Sequence, residues 1–280
     1  AENDTSSLAT YEYSQNNSDW FTMTEKSGVG SDGTSSLAFT SGGASLVFAW
    51  DVDTDLANTE DSTVYIRLQA NDGASDGNLA TSSALVVDTK ASVISSFSVA
   101  QTAGATDVDM TYDLADDTAS SILIELDISE DGGSTWTVTD TSVTGDVGSG
   151  VTAGASKAIA WATATDFDDQ YETDMQVRLR ATDDFGNVSG YTESSEFTVD
   201  TSDPSLTNVS ATQSGGSSDV IITYDLADDT SSNLTVDLDI SEDGGSTWTV
   251  TDTSVTGNVG SAQTTGTTKT ITWDAGADFN

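Results

Sequence analysis

Apolar and polar side chains alternate with a period of two over several stretches of the chain. Val108, Met110, Tyr112 and Leu114 fall on one face of an extended segment, and Ile122, Ile124, Leu126 and Ile128 on one face of the next. Glu125, Asp127 and Ser129 take the opposite face of that second segment, which predicts a strand with one buried and one wet side. The same pattern returns with Val220, Ile222, Tyr224 and Leu226, then with Leu234, Val236, Leu238 and Ile240 opposed by Thr235, Asp237 and Asp239. Further strands are predicted around 158–161, 176–182 and 195–199, separated by clusters of Asp, Gly, Ser and Thr. No helical periodicity interrupts them. About seven short strands per repeat predict an all-β fold of tandem antiparallel β-sandwiches of immunoglobulin or fibronectin type.

The recurrence is a sequence repeat of 112 positions. Residues 112–145 and 224–257 are identical at 28 of 34 positions. A fixed period of that length marks one folding unit copied head to tail, and repetition of this kind yields length and surface. Three units are predicted: a diverged N-terminal capping unit at 1–89, a full repeat at 90–201, and a repeat at 202–280 that stops short. The assignment of the first rests on offsets, since Trp50, Trp161 and Trp273 are each followed five positions later by Asp55, Asp166 and Asp278. Val87-Asp88-Thr89 likewise matches Val199-Asp200-Thr201. The third copy lacks counterparts of the strands at 176–199, which predicts an open apolar groove and strand edge, to be covered by further chain or by another subunit.

Charge narrows the possible roles. The chain carries 47 acidic and 7 basic residues, a formal net charge of −40, so it repels nucleic acid and anionic lipid. It calls for cations, as bulk salt or as bound divalent ions. With no Cys and no His, it has no disulfide, no thiolate or imidazole metal ligand and no Ser-His or Cys-His nucleophile pair, and no enzyme activity is expected. No apolar stretch is long enough for a membrane span, and the start at Ala1 suits a mature secreted chain. Asn3, Asn16, Asn187, Asn208 and Asn233 head sequons that permit glycosylation.

Two motifs carry resemblances. Ser129-Glu130-Asp131-Gly132-Gly133-Ser134-Thr135-Trp136, repeated at 241–248, resembles the Asp-box of sialidases and related β-propellers. Its physics is that of a turn: Asp131 accepts backbone N–H groups, Gly133 takes positive φ, and Trp136 folds over as a lid. One such turn per 112 residues does not make a propeller, and only Arg67, Arg178 and Arg180 are available to hold a substrate carboxylate, so catalysis is not expected. Arg178 and Arg180 alternate with Val177 and Leu179, which sets them on the outer face beside carboxylates. The stretch 177–187, followed by Phe197-Thr198-Val199-Asp200-Thr201-Ser202-Asp203-Pro204, resembles the last hairpin and linker of bacterial and archaeal Ig-like tandem-repeat domains. The resemblance implies the company of surface-layer proteins, large adhesins and other cell-surface proteins, a domain type rather than a task.

The aspartates form the candidate metal site. With termini at opposite poles of each sandwich, Asp53, Asp55 and Asp61 with linker Asp88 are predicted to face Asp116, Asp117, Asp183 and Asp184 of the next unit. At the second junction Asp166, Asp168 and Asp169 with Asp200 and Asp203 are predicted to face Asp228 and Asp229. Calcium takes six to eight oxygens from flexible carboxylate and carbonyl loops and would stiffen such junctions. The predicted function is a secreted or cell-surface structural component of a surface layer or fibre, self-associating into a lattice or filament. The alternative is an adhesin stalk or polysaccharide-binding module that meets cell-surface glycan through Tyr11, Tyr13, Trp20 and Phe21.

Overall fold

The computed structural model describes residues 5–28, 30–38 and 43–279, and the sequon at Asn3 lies outside them. The chain is nearly all β, and every ladder is antiparallel. Up to Asp88 the strands are β1 (Thr5–Ser14), β2 (Phe21–Thr22), β3 (Leu37–Ala38), β4 (Glu60–Asn71), β5 (Ala80–Thr81) and β6 (Leu85–Asp88). They form one sheet in the order β2-β1-β4-β5, with β3 on β1 and β6 on β4.

The middle of the chain forms two sheets. One is ordered β10 (Val143–Gly145), β12 (Gly154–Trp161), β8 (Val108–Ala115), β7 (Val93–Gln101). The other is ordered β11 (Gly148–Val151), β9 (Ile122–Ser129), β13 (Tyr171–Thr182), β14 (Thr192–Glu193), with β15 (Phe197–Asp200) also on β13. The last part repeats the first of these sheets as β16 (Ser205–Gln213), β17 (Asp219–Ala227), β21 (Gly266–Asp274) and β19 (Val255–Gly257). Of the second sheet the described residues here form β18 (Leu234–Val236) and β20 (Gly260–Gln263).

Burial follows the alternation. The inward faces of β8 and β9, from Val108 to Leu114 and from Ile122 to Ile128, meet in one apolar cluster with Ile159, Trp161, Met175, Val177, Leu179 and Val199. Separate clusters gather Tyr13, Met23, Leu56, Val64 and Val87 before it and Ile222, Tyr224, Leu226, Leu234, Val236 and Ile271 after it. Ser129 departs from the pattern. Alternation puts it outward, yet it is fully buried, because the turn folds back and its hydroxyl bonds Asp131 Oδ1 at 2.8 Å and accepts from Gly133 N at 2.9 Å.

That turn has the geometry its residues dictate. Asp131 Oδ1 accepts from Thr135 N at 2.7 Å, Gly133 has φ of 80°, and Trp136 lies over Gly133 with the Arg178 guanidinium 4.3 Å from its ring centre. Asp243 makes the same bond to Thr247 N at 2.8 Å. Arg178 and Arg180 pair with Asp127 and Glu125 on the outer face, where such pairs add little stability on their own.

Gly145 is fixed by close approach. At φ 105° a Cβ there would sit 2.3 Å from the carbonyl oxygen of Ala158, and Gly257 repeats the constraint against Thr270. Short helical turns α1 (Val52–Asp55), α2 (Thr163–Asp166) and α3 (Ala275–Asp278) follow Trp50, β12 and β21. No helix among the described residues is long and apolar enough to cross a membrane.

Candidate functional site

The predicted site residues separate into clamp, scattered and junction aspartates once placed in space. Asp55 and Asp166 end the short turns α1 and α2, and each turns its carboxylate back onto the tryptophan five residues earlier. Trp50 Nε1 donates to Asp55 Oδ2 at 2.6 Å and Trp161 Nε1 to Asp166 Oδ2 at 3.1 Å; Trp273 and Asp278 repeat the bond at 3.1 Å. The same carboxylates hold the preceding loop: Asp55 accepts from Thr24 N at 2.6 Å, and Asp166 from Ser142 N at 2.8 Å and Thr141 Oγ1 at 2.6 Å. Burial works to raise the Asp166 carboxyl, but the bonds from Thr141, Ser142 and Trp161 outweigh it and hold the group down at about 2. The constant Trp-to-Asp offset thus records a clamp within each unit, and its oxygens are spent on protein donors.

Other predicted residues lie apart from any cluster of carboxylates. Asp53 is exposed and pairs with Lys26 at 3.5 Å, and Asp168 is exposed on the loop after α2. Asp61 bonds Thr63 and Gln15. Asp184 accepts from Ser120 Oγ at 2.8 Å.

The remaining group meets where β6 hands over to β7. Asp88 is buried at the end of β6, and its Oδ2 accepts from the hydroxyl of Thr118 in the loop after β8. Its Oδ1 accepts from Lys90 N at 3.0 Å and from Asn187 Nδ2 at 3.2 Å. Asp183, also buried, holds Asn187 in place by accepting from Nδ2 at 2.8 Å and from the Asn187 N–H at 2.8 Å. Asp116 accepts from Ala119 N at 2.6 Å and Ser92 Oγ at 2.7 Å, and the Asp117 N–H donates to Glu60 Oε1 at 2.8 Å. Glu60, whose side chain is nearly buried, pairs with the Lys90 ammonium.

Glu60, Asp88 and Asp116 each bring one carboxylate oxygen within 4.8 Å of the other two. Glu60 was not among the residues expected from sequence. Its counterpart in the next unit is Tyr171, since both pair with the closing aspartate of their unit, Glu60 with Asp88 and Tyr171 with Asp200. The signal available was the departure from the repeat at that aligned position, together with Lys90, one of only seven cationic side chains, placed two residues after Asp88.

Comparison with known protein families finds no match, and neither does comparison with curated proteins or with solved structures. The chemistry of the junction therefore rests on its own residues.

An all-oxygen, carboxylate-rich set suits a hard divalent ion such as calcium, with Glu60, Asp88 and Asp116 as the residues that would hold it. Burial raises the Asp88 carboxyl above its ordinary value, Thr118 and the Lys90 N–H work against this, and the nearby Asp183 and Asp116 add to the rise. The Lys90 ammonium pairs with Glu60 alone of the three carboxylates, so negative charge is left over. Lys90 is at once a partial neutraliser and the competitor a divalent ion would meet.

The second junction repeats the clasp with fewer charges. Thr230 Oγ1 donates to Asp200 Oδ2 as Thr118 does to Asp88, and Ser202 Oγ bonds Asp200 Oδ1 at 2.7 Å and Asp229 Oδ2 at 3.1 Å. Asp228 turns to its own loop, accepting from Thr230 N at 3.1 Å and from Ser231 N. Asp203 is exposed on the wall of the cleft that Asp200 and Asp228 also line. Among the described residues no three carboxylates here come within 4.8 Å of one another as they do at the first junction, and Tyr171 stands where Glu60 does.

The aromatics considered as glycan contacts are mostly engaged within the fold. Tyr13 is buried against Trp50 with ring centres 5.0 Å apart, Tyr11 packs on Phe48, and Trp20 stacks on the Arg67 guanidinium at 4.2 Å. Phe21 is 56% exposed.

Thr118→Val should weaken the first junction by about 1.5–3 kcal/mol, the loss of a hydrogen bond to a charged acceptor. Calorimetry of the whole chain checks this: the transitions of the first and second units should move apart, with unchanged positions counting against a clasp.

Proposed function

We propose that this chain is a stretch of an extracellular structural array, built from Ig-like β-sandwich repeats and serving in a surface layer or fibre. The observation that carries the reading is the recurrence of one inter-unit bond at the repeat distance, Thr118 to Asp88 and Thr230 to Asp200. A bond that recurs with the period gives successive units the same hand-over, as a rod of beads requires. The acidic surface fits the same role, since a net charge of −40 is compatible with dense packing only where counterions gather. Calcium at Glu60, Asp88 and Asp116 would cross-link the hand-over and take up the charge that Lys90 leaves.

Two measurements on the whole chain test this. Small-angle scattering should give a longer, stiffer particle in millimolar calcium than in chelator, and negative-stain microscopy should show ordered sheets or filaments. Thermal unfolding should show the first junction's transition rising by several degrees with calcium, an effect that Glu60→Gln removes. A midpoint indifferent to calcium would remove the ion from the proposal; a chain that stays monomeric under all conditions and is retained by glycans would replace the structural role with an adhesive one.

A further inference from the structure

The second unit carries an apolar row on the outer face of one of its sheets. Leu123 is the one apolar side chain on the wet side of β9, and in the next unit Thr235 takes its position. By register Leu123 lies opposite Thr182 of β13, and Thr182 opposite Val188 in the loop before β14. The three therefore stand side by side across the sheet, on one face. On the far side of Leu123 the neighbouring β11 reads Gly148-Ser149-Gly150, residues too small to cover it. Next to this row Tyr191 lies over both outward arginines, its ring centre 3.9 Å from the Arg178 guanidinium and 4.9 Å from that of Arg180. Leu123, Tyr191 and Val188 are 39%, 41% and 53% exposed.

Charge says which body can approach this face. The 47 acidic groups of the chain repel a second chain over most of its surface. Here the sign is nearly cancelled: Arg178 pairs with Asp127 at 2.8 Å and Arg180 with Glu125 at 2.7 Å, with Glu193 opposite Arg178 on β14. Two of only seven cations are thus set beside the apolar row. The other sheet of the same unit carries Asp109 and Asp113, which accept from a hydroxyl and a main-chain N–H and keep their charge. A cationic partner would be drawn to such acidic faces, and not to a face where arginines already answer the carboxylates. A body as acidic as this chain has the reverse preference, and a second copy is such a body.

We propose that the outer face of β9 and β13 is the lateral contact between two copies of this chain, with Leu123, Val188 and Tyr191 of each packed against the sheet of the other. Sheets packed face to face lie about 10 Å apart, room for one interdigitated layer of such side chains, and each arginine keeps its own carboxylate. A two-fold contact uses the same patch twice, so one apolar row is enough to make it. The inference rests on the structural-array reading, for which it names the surface by which neighbouring rods join.

Sedimentation of the whole chain tests this. Association should strengthen as sodium chloride rises from about 0.05 M to about 1 M, because screening removes the repulsion and leaves the apolar contact. Leu123→Thr, which installs the residue of the next unit, and Val188→Asp should each weaken association at least tenfold while the thermal transition of the second unit stays in place. The chain has no cysteine, so Thr182→Cys in the middle of the row and Thr111→Cys on the other sheet each supply a single thiol. Association should slow alkylation at 182 and leave it unchanged at 111. A chain that stays monomeric in high salt, association that weakens with salt, variants that associate as the parent does, or equal protection of the two thiols overturns the proposal. Negative-stain microscopy in calcium separates its failure from that of the array. Ordered sheets or filaments of the Leu123→Thr chain would overturn this contact and leave the array standing on another face, whereas a parent that pairs through this face yet forms neither would keep the contact and lose the array.

Discussion

Replacing Trp161 with alanine should destabilise the second unit by about 4 kcal/mol, the usual cost of emptying a large aromatic site in a packed core. Trp161 is completely buried, its ring 6.3 Å from that of Phe167, and it sits where β12 pairs with both β8 and β10. Truncation removes the ring and also leaves Asp166 without its indole donor. For a unit of this size the midpoint should fall by roughly 15 °C. The same substitution at Trp273 should cost less, since that ring is 8% exposed beside an open cavity, and at the half-buried Trp50 less again. Calorimetry of the three single variants reads this directly, because each should lower one transition. Equal shifts at the three sites would mean that the differing cover of the rings is not what sets the cost.

The residues that sequence placed well and those it did not differ for a physical reason. Alternation reports which side of a strand faces the core, so the inward faces of β8 and β9 were legible from their apolar residues, and Arg178 and Arg180 from their position between Val177 and Leu179. The turn at 129–136 was legible because its glycines and aspartate admit few backbone paths. Alternation failed at Ser129, where a returning loop covers a position that the strand period leaves wet. Aspartate in a loop is ambiguous in a different way, because the same side chain can bind a cation, cap a turn or accept from an indole. Asp55 and Asp166 were therefore grouped with Asp88 by composition, and only the folded geometry separates the clamp from the junction. Glu60 escaped because an aspartate-centred reading passes over it, although the repeat itself marks the position by a Tyr171.

The clamp makes a prediction of comparable size. Asp166→Ala should cost the second unit about 3 kcal/mol at neutral pH, since the buried Trp161 N–H and the Ser142 N–H lose their acceptor together. Asp166→Asn should cost about 2 kcal/mol, because an amide offers one acceptor oxygen where the carboxylate offers two and brings donors of its own toward the loop hydroxyls. The two variants should also differ from the parent in their response to acid. Asp166 is held at about 2 in the fold against 3.8 for an ordinary aspartate, so its folded value is depressed. A depressed carboxyl stabilises the fold fully above its unfolded value and loses that stabilisation as pH falls toward the folded one. Denaturant titrations between pH 7 and pH 2 should therefore show the gap between parent and Asp166→Asn constant down to about pH 4 and shrinking below it. Taking the difference removes the effect of protonating the other carboxylates, which relaxes self-repulsion in both proteins alike. A gap that stays the same at pH 2 would show that the carboxylate's charge is not what holds the loop to the tryptophan, leaving shape alone to account for an offset of five residues kept in three units.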